Sequence, residues 1–473
     1  MSRPDRRAAL AMAALVLVAV VIATLPTPNG LSREGQRVLA VVVLAVGLWS
    51  TAAVPPGVTG LVVVAALTLS GGVPSLAVAL SGFADPVAYF LLGVLTIGLA
   101  VSKSGLAGRV ARLSLRRSGG RPRALYGQML LAFPVLTLLL PSATTRTAIL
   151  VHVYEEALTL SDVPRGAPLG KAIMLALNSV NRLASTVLLT GGITPIVAAG
   201  LIGEVSWGHW FILMSVPYAA LLAAGALLIY AQYRGGFEGE LVLPPPREHA
   251  SAWSPAEVRT LLITMGAALL WLTDAFHHLH PAVPALLAWI CFLSPGIGVL
   301  TWSEFERGLG WANLFVLAAS LSLAHAIIRS GAGAWLAAFL LGMAPSLAAH
   351  PMLLVLALLL ACAGVRLLIP NITGYLALTI PVAMSLGSAA GLNPMVCGLV
   401  AMIAGDAVLY YPAQSASSLV VYERGHLTAP EIFRFGLWMT LVGFVVVLVV
   451  AIPYWTLVGS PLVVTPPGGA PAR

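Results

Sequence analysis

Two short polar stretches hold most of the side chains in this chain that could do chemistry. Residues 140–147 read LPSATTRT and residues 369–374 read IPNITG. Apolar arms flank each: 124–140 and 148–158 about the first, 351–368 and 375–390 about the second. Two further polar interruptions follow, TGGI at 190–193 within the run 172–202 and SASS at 415–418 within 394–421. A helix that starts at such a break exposes free N–H groups and the positive end of its dipole, which favour an anion. Ser142, Thr144, Thr145, Asn371 and Thr373, with Thr190 and Ser415 at the later interruptions, add small donors without bulk. Carbonyls at helix ends suit a small cation such as sodium. A single Ser or Thr in a membrane helix is more often bonded to its own backbone, so the paired set carries the reading.

Charge is the second signal. Arg146, Arg182, Arg366 and Asp406 lie in or beside the breaks, where ionised groups are expensive and face a cavity or a partner. Arg146 has the planar fork to grip an anion. Alternatively, Arg146 or Arg182 pairs with Asp406 and ties two parts of the chain together. Asn181 and Asp406 are candidates for ion coupling, as are Ser142, Ala143, Asn371 and Ile372 at the tips. His152, Glu155 and Glu156 read as a wet mouth rather than a proton relay, and His277, His278 and His280 as an external loop rather than a metal site.

The elements that must position these residues follow from composition. Apolar residues make up 59% of the chain and charged residues 9%, against about 25% charged in soluble domains. This is an all-α polytopic membrane protein, expected to have about 11 spans plus two re-entrant helical hairpins, 124–158 and 351–390. The net charge of +8 reads as the basic bias of cytoplasmic loops, not as a nucleic-acid surface. Arg3, Arg6 and Arg7 put the N-terminus in the cytoplasm, and the loop 103–123 carries seven basic residues and no acidic one. Span counting places that loop in the cytoplasm too, with an amphipathic interfacial helix over 106–115. No nucleophile, paired carboxylates or metal cluster stands at membrane depth, so an enzyme is not expected. Cys291, Cys362 and Cys397 lie apart in apolar segments and read as core residues.

The chain divides into an N-terminal helix (1–30), a first half (31–231), a charged Pro-rich linker (232–256), a second half (257–458) and a tail (459–473). The halves align internally. Leu95-Thr96 and Lys103-Ser104-Gly105 fall on Leu321-Ser322 and Arg329-Ser330-Gly331, and Pro141-Ser142-Ala143-Thr144 falls on Pro370-Asn371-Ile372-Thr373. Asn181 and Thr190 fall on Asp406 and Ser415. On the span count one hairpin opens inside and the other outside, which predicts an inverted repeat.

At these motifs the chain resembles the divalent anion/sodium symporter family, within the larger superfamily of citrate, arsenite and sodium/proton carriers. Ser142-Ala143-Thr144 and Asn371-Ile372-Thr373 match its Ser-Asn-Thr tips, and Thr190–Ile193 and Ser415–Ser418 match its Thr-Pro-Pro-Asn stretches. The run from Tyr411-Pro412 through Tyr422-Glu423-Arg424-Gly425-His426-Leu427-Thr428 to Phe435-Gly436-Leu437-Trp438 has the family's cadence. Ala143 and Ile372 replace the motif's Asn residues, and Arg146 is a charge the motif lacks. The resemblance implies an elevator-type secondary carrier of dicarboxylates, tricarboxylates or sulfate in the cell membrane, often a homodimer. It also implies sodium as the coupling ion and no other cofactor. A proton-coupled carrier, an exchanger or a cation antiporter is the alternative within the superfamily.

Overall fold

A computed structural model describes residues 6–140, 142–203, 205–242 and 253–464. Arg3, Pro141, Pro244, Pro245 and Pro246 of the linker, and the tail beyond 464 lie outside the described residues. The architecture is all-helical. In the first half α1 (Arg6–Thr24), α2 (Arg33–Thr51), α3 (Pro56–Leu69) and α4 (Pro86–Ser104) precede a short amphipathic α5 (Leu106–Arg117). The first polar stretch then separates α6 (Pro122–Leu139) from α7 (Ala143–Leu160). Next comes α8, built from Pro168–Leu175, a π-turn at Ala176–Val180 and Asn181–Thr186, then α9 (Ile193–Ile202) and α10 (Trp207–Gln232).

The second half repeats the order with α11 (Pro255–Leu272), α12 (Ala282–Leu293), α13 (Ala312–Arg329) and α14 (Ala332–Met343). The second stretch parts α15 (Pro351–Leu368) from α16 (Ile372–Ala389), and α17 (Pro394–Asp406), α18 (Ala416–Tyr422) and α19 (Ala429–Leu457) complete it. Among the described residues eight helices are long and apolar enough to span a bilayer, and the protein is a multi-pass membrane protein.

The amphipathic helix runs two residues beyond its expected end, to Arg117. Its counterpart α14 was not expected, because it has no charged residue to set it off from a span. Both begin after a glycine in the left-handed region, Gly105 at φ 81° and Gly331 at φ 72°, where a Cβ would be strained.

Each polar stretch makes a helix pair that doubles back. The N–H of Leu241 donates to the Gly120 carbonyl just before α6, while the N–H of Val242 donates to the Ser161 hydroxyl just after α7. Consecutive residues therefore hold both open ends of the first pair. Leu354 and Val355 of α15 share a small apolar cavity with Leu386 and Gly387 of α16, which brings together the open ends of the second.

Packing between the halves is reciprocal. α3 packs on α13 and α4 on α12; α9 packs on α16 and α18 on α7. Close approach is bought with small residues. A Cβ on Gly60 of α3 would come within 2.6 Å of the Phe315 carbonyl, and one on Gly93 of α4 within 2.7 Å of Ala285.

Candidate functional site

The breaks form because their side chains replace the hydrogen bonds a helix end leaves open. Ser142 caps α7: its hydroxyl accepts from the Thr145 N–H at 3.3 Å and from the Thr145 hydroxyl at 3.0 Å. Asn371 caps α16 by accepting from the Gly374 N–H at 3.0 Å. Each cap stabilises its helix by about 1 kcal/mol. Ala143, Thr144, Thr145 and Ile372 are half-buried at the tips and Thr373 is buried. No hydrogen bond joins one tip to the other among the described residues. Tip one has room, since a Cβ on Gly98 of α4 would meet Ser142 at an ordinary 3.6 Å. Tip two is wedged: a Cβ on Gly374 would come within 2.8 Å of the Trp49 indole of α2.

Behind each tip lies a buried arginine. Arg146, fully buried, stands one turn into α7. Its Nε donates to Asn181 Oδ1 at 2.6 Å, Nη1 to the Leu140 carbonyl at 2.8 Å, and Nη2 to the Asn181 carbonyl at 2.8 Å and Ser185 Oγ at 2.6 Å. The Asn181 amide in turn donates to Thr147 at 2.9 Å. Arg146 thus fastens tip one to the last piece of α8. Arg366, 1% exposed, stands on the leading arm of the other pair. Its Nη1 donates to the Ile369 and Pro370 carbonyls, both at 2.7 Å, and its Nε to the Gly405 carbonyl at 3.2 Å. Arg366 thus fastens tip two to the end of α17.

The charge pair joining the halves is Arg182 with Asp406. Arg182 Nη1 donates to Asp406 Oδ1 at 2.6 Å, and its Nη2 donates to the Asp406 carbonyl. The other carboxylate oxygen accepts from Thr186 at 2.7 Å and from the Tyr218 hydroxyl at 2.9 Å. Of the two pairings the sequence left open, Arg182 with Asp406 forms and Arg146 with Asp406 does not. Arg146 spends its donors on Asn181, Ser185 and Leu140, and Arg182 faces the end of α17 instead. Asn181 is a partner of Arg146, not an independent group.

The later interruptions are true breaks, with one shift. The first spans 187–192, where buried Thr190 accepts from Trp207 Nε1 at 3.3 Å. The second spans 407–415, earlier than the expected 415–418; Ser417 and Ser418 are already helical, and Asp406 ends α17 rather than lying in unwound chain. Pro412 and the side chain of Gln414 move the break. Gln414 Oε1 accepts from the Tyr410 N–H at 2.6 Å, and its Nε2 donates to the Arg366 carbonyl at 2.8 Å. Ser415 shares a 2.7 Å hydrogen bond with Ser417. Gln414 and Tyr218 escaped the sequence reading: one is a lone polar residue in a loop, the other one aromatic in an apolar run. Arg182 Nε, Asn178 Oδ1 and Ser418 Oγ are buried with no protein partner, so bonding capacity remains around the site.

His152, Glu155 and Glu156 line an open cleft of about 360 Å³ beside Arg424. Arg424 pairs with Glu155 at 3.1 Å and meets His152 Nδ1 at 3.1 Å. Among the described residues no group of His, Cys, Asp and Glu is placed to hold a metal ion.

Known proteins bear on this arrangement. The chain is 24% identical over 478 residues to a protein of Cupriavidus necator described as a membrane protein, covering 94% of this chain and 92% of that one. It is 23% identical to the L-tartrate/succinate antiporter of Escherichia coli K12, covering 94% and 97%. It is 22% identical to the chloroplastic dicarboxylate transporter 1 of Spinacia oleracea, covering 94% and 81%. In fold it is similar to Neisseria gonorrhoeae MtrF, with a TM-score of 0.56 at 14% identity over 100% of this chain and 98% of that one. It is also similar to the Alcanivorax borkumensis YdaH transporter, at 0.54 and 16% over 97% and 99%. The family described as the sodium:sulfate symporter transmembrane region matches residues 6–461, and the chain belongs to that family.

Proposed function

We propose that the protein is a secondary carrier of small dicarboxylate anions. One observation carries this reading. Three buried guanidinia, Arg146, Arg182 and Arg366, stand behind two capped hairpin tips, and only Arg182 is paired with a carboxylate, Asp406, among the described residues. A region built that way is electropositive and stabilises a dianion. The relatives named for tartrate, succinate and dicarboxylate support the substrate class. The substrate is held between the tips by Ser142, Thr144, Thr145, Asn371 and Thr373, with Thr190 and Ser415 at the breaks. The halves form an inverted repeat with re-entrant hairpins. Elevator-like movement of the hairpins and broken helices gives alternating access, in a homodimer with the N-terminus and 103–123 on the cytoplasmic side.

Sodium coupling is the second reading, favoured by the family's description. Tricarboxylate or sulfate is the alternative cargo. Thermal unfolding of the purified protein in detergent tests the substrate class. Succinate or tartrate raises the melting temperature by mass action, more than sulfate or citrate does. No shift with any dicarboxylate at millimolar concentration overturns the reading.

A further inference from the structure

In carriers built from broken helices, the carbonyls at half-helix C-terminal ends are the groups that coordinate a coupling cation. They carry the negative end of the helix dipole and lack intrahelical partners. In this protein guanidinium groups already donate to carbonyls of this kind at both tips and at the end of α17. The Leu140 carbonyl, which closes α6, accepts from Arg146. The Ile369 and Pro370 carbonyls after α15 accept from Arg366, as does the Gly405 carbonyl in the last turn of α17. The Asp406 carbonyl accepts from Arg182. The Asn181 amide oxygen, a further hard ligand, accepts from Arg146 at 2.6 Å. At each tip a guanidinium nitrogen therefore occupies the direction from which a sodium ion would be held, and the tip side chains that could have replaced those ligands are Ala143 and Ile372.

The charge balance is equally informative. Arg182 is matched by Asp406 at 2.6 Å. The acceptors of Arg146 and Arg366 are neutral oxygens, and neither guanidinium has a carboxylate within ion-pairing distance among the described residues. One unmatched positive charge thus stands behind each tip, in a region closed to water. Carbonyl dipoles solvate such a charge without cancelling it, and an uncancelled charge in a low-dielectric interior is costly to move.

We propose that Arg146 and Arg366 are built-in counter-cations: they stand where a coupling cation would, and they make the carrier a sodium-independent obligate exchanger. The proposal rests on the dicarboxylate reading above. A bound dianion brings the two excess charges to zero, so the loaded protein reorients as a neutral unit. The empty protein has to carry two uncancelled charges, so it does not return without cargo. A symporter lets its cation leave with the substrate and so resets empty; a guanidinium on the chain cannot leave. Arg366 is a positioning residue acting through electrostatics and through the tip carbonyls, not a group that touches substrate.

The test uses purified protein in liposomes with labelled succinate outside. Vesicles preloaded with unlabelled succinate take up label at least tenfold faster than empty vesicles, and replacing sodium by choline changes the rate less than twofold. Net uptake into empty vesicles that requires a sodium gradient overturns the proposal while leaving the dicarboxylate reading intact. Absence of transport of any dicarboxylate in either format overturns both. Arg146→Gln and Arg366→Gln supply a readout that a structural role would not move. Lowering the charge raises net uptake relative to exchange at least threefold in each, whatever the absolute rate, and Arg366→Lys restores the ratio. A ratio unchanged in both Gln variants overturns the role of these residues; if a variant does not fold, the wild-type loading and sodium measurements still decide.

Discussion

The two hairpins are capped in the same way, by Ser142 and by Asn371, and place their arginine on opposite arms. In the first, Arg146 follows the tip and reaches back to Leu140 and across to α8. In the second, Arg366 precedes the tip and reaches forward to Ile369 and Pro370 and across to Gly405. The chain thus solves one problem twice: a bent backbone buried among apolar helices needs partners for its free carbonyls, and a guanidinium supplies several from one side chain. The open ends differ more. His152, Glu155, Glu156 and Arg424 line the first mouth, whereas leucines, Val355 and Ala383 line much of the second. One hairpin opens into a charged, open cleft and the other into apolar packing.

Both hairpins hang on the Arg182–Asp406 pair, so removing that joint is expected to have the largest effect. Asp406→Asn or Arg182→Gln leaves a buried charge uncompensated, at a cost of about 3–5 kcal/mol. Folded yield by fluorescence-detected size exclusion collapses in each single variant and recovers in the double variant. Recovery failing in the double variant would show that Thr186 and Tyr218, not the charge pair, hold the joint.

Lysine substitutions sharpen the contrast between the two arginines. Arg146 uses all three guanidinium nitrogens, and lysine keeps at most part of that set. Two of Arg366's bonds come from Nη1 alone, where one ammonium can serve both carbonyls. Arg146→Lys is therefore expected to cost about 2–3 kcal/mol and Arg366→Lys about 1 kcal/mol, from the usual cost of unsatisfied buried acceptors. Melting temperatures falling equally would erase the distinction.

How much of this was legible beforehand depends on the physics involved. The polar breaks, the amphipathic helix and the order of elements follow from hydropathy and proline placement, which act locally. The caps Ser142 and Asn371 are local too, and the sequence marked both, though as substrate donors. Which guanidinium meets Asp406 is set by the mutual rotation of α8 and α17, more than two hundred residues apart in sequence, and no local pattern encodes it. Gln414 was hidden for the same reason, since its acceptor belongs to Arg366 on another helix. Helix α14 was missed because an apolar helix lying outside the spans has no compositional mark.

The tips themselves differ by one wedge. Gly374→Ala drives a methyl into the Trp49 ring and is expected to cost about 1–2 kcal/mol, as overpacking does. Gly98→Ala meets nothing closer than 3.6 Å and is expected to be neutral in the same thermal assay. Trp49→Leu restores Gly374→Ala if the ring is the obstacle; persistence of the defect would place the strain elsewhere.

The smallest effect separates the mouths. His426, between α18 and α19, is buried against Gly170 near Glu155 and Arg165. Burial, then Arg165, holds its imidazole below the ordinary histidine range, while Glu155 opposes the shift. The folded state then binds fewer protons than the unfolded chain, so this contribution is present above about pH 6.5 and declines as pH falls below it. A melting curve for His426→Gln flatter with pH than wild type between neutrality and pH 5 is the expected result; parallel curves would exclude this histidine.

The reciprocal packing of the halves also dictates how the chain must be made. The N–H of Gly82 donates to Ser322 Oγ, 240 residues later. At about 5–20 residues per second of synthesis, the acceptor emerges on the order of ten to fifty seconds after its donor. Throughout that interval the small-residue faces of α3 and α4, with Gly60 and Gly93, have no helix to receive them. The nascent first half must wait in the bilayer with those faces against lipid or the insertion machinery. Only the emergence of α12 and α13 lets it close, so the linker between the halves also sets the timing of the protein's birth.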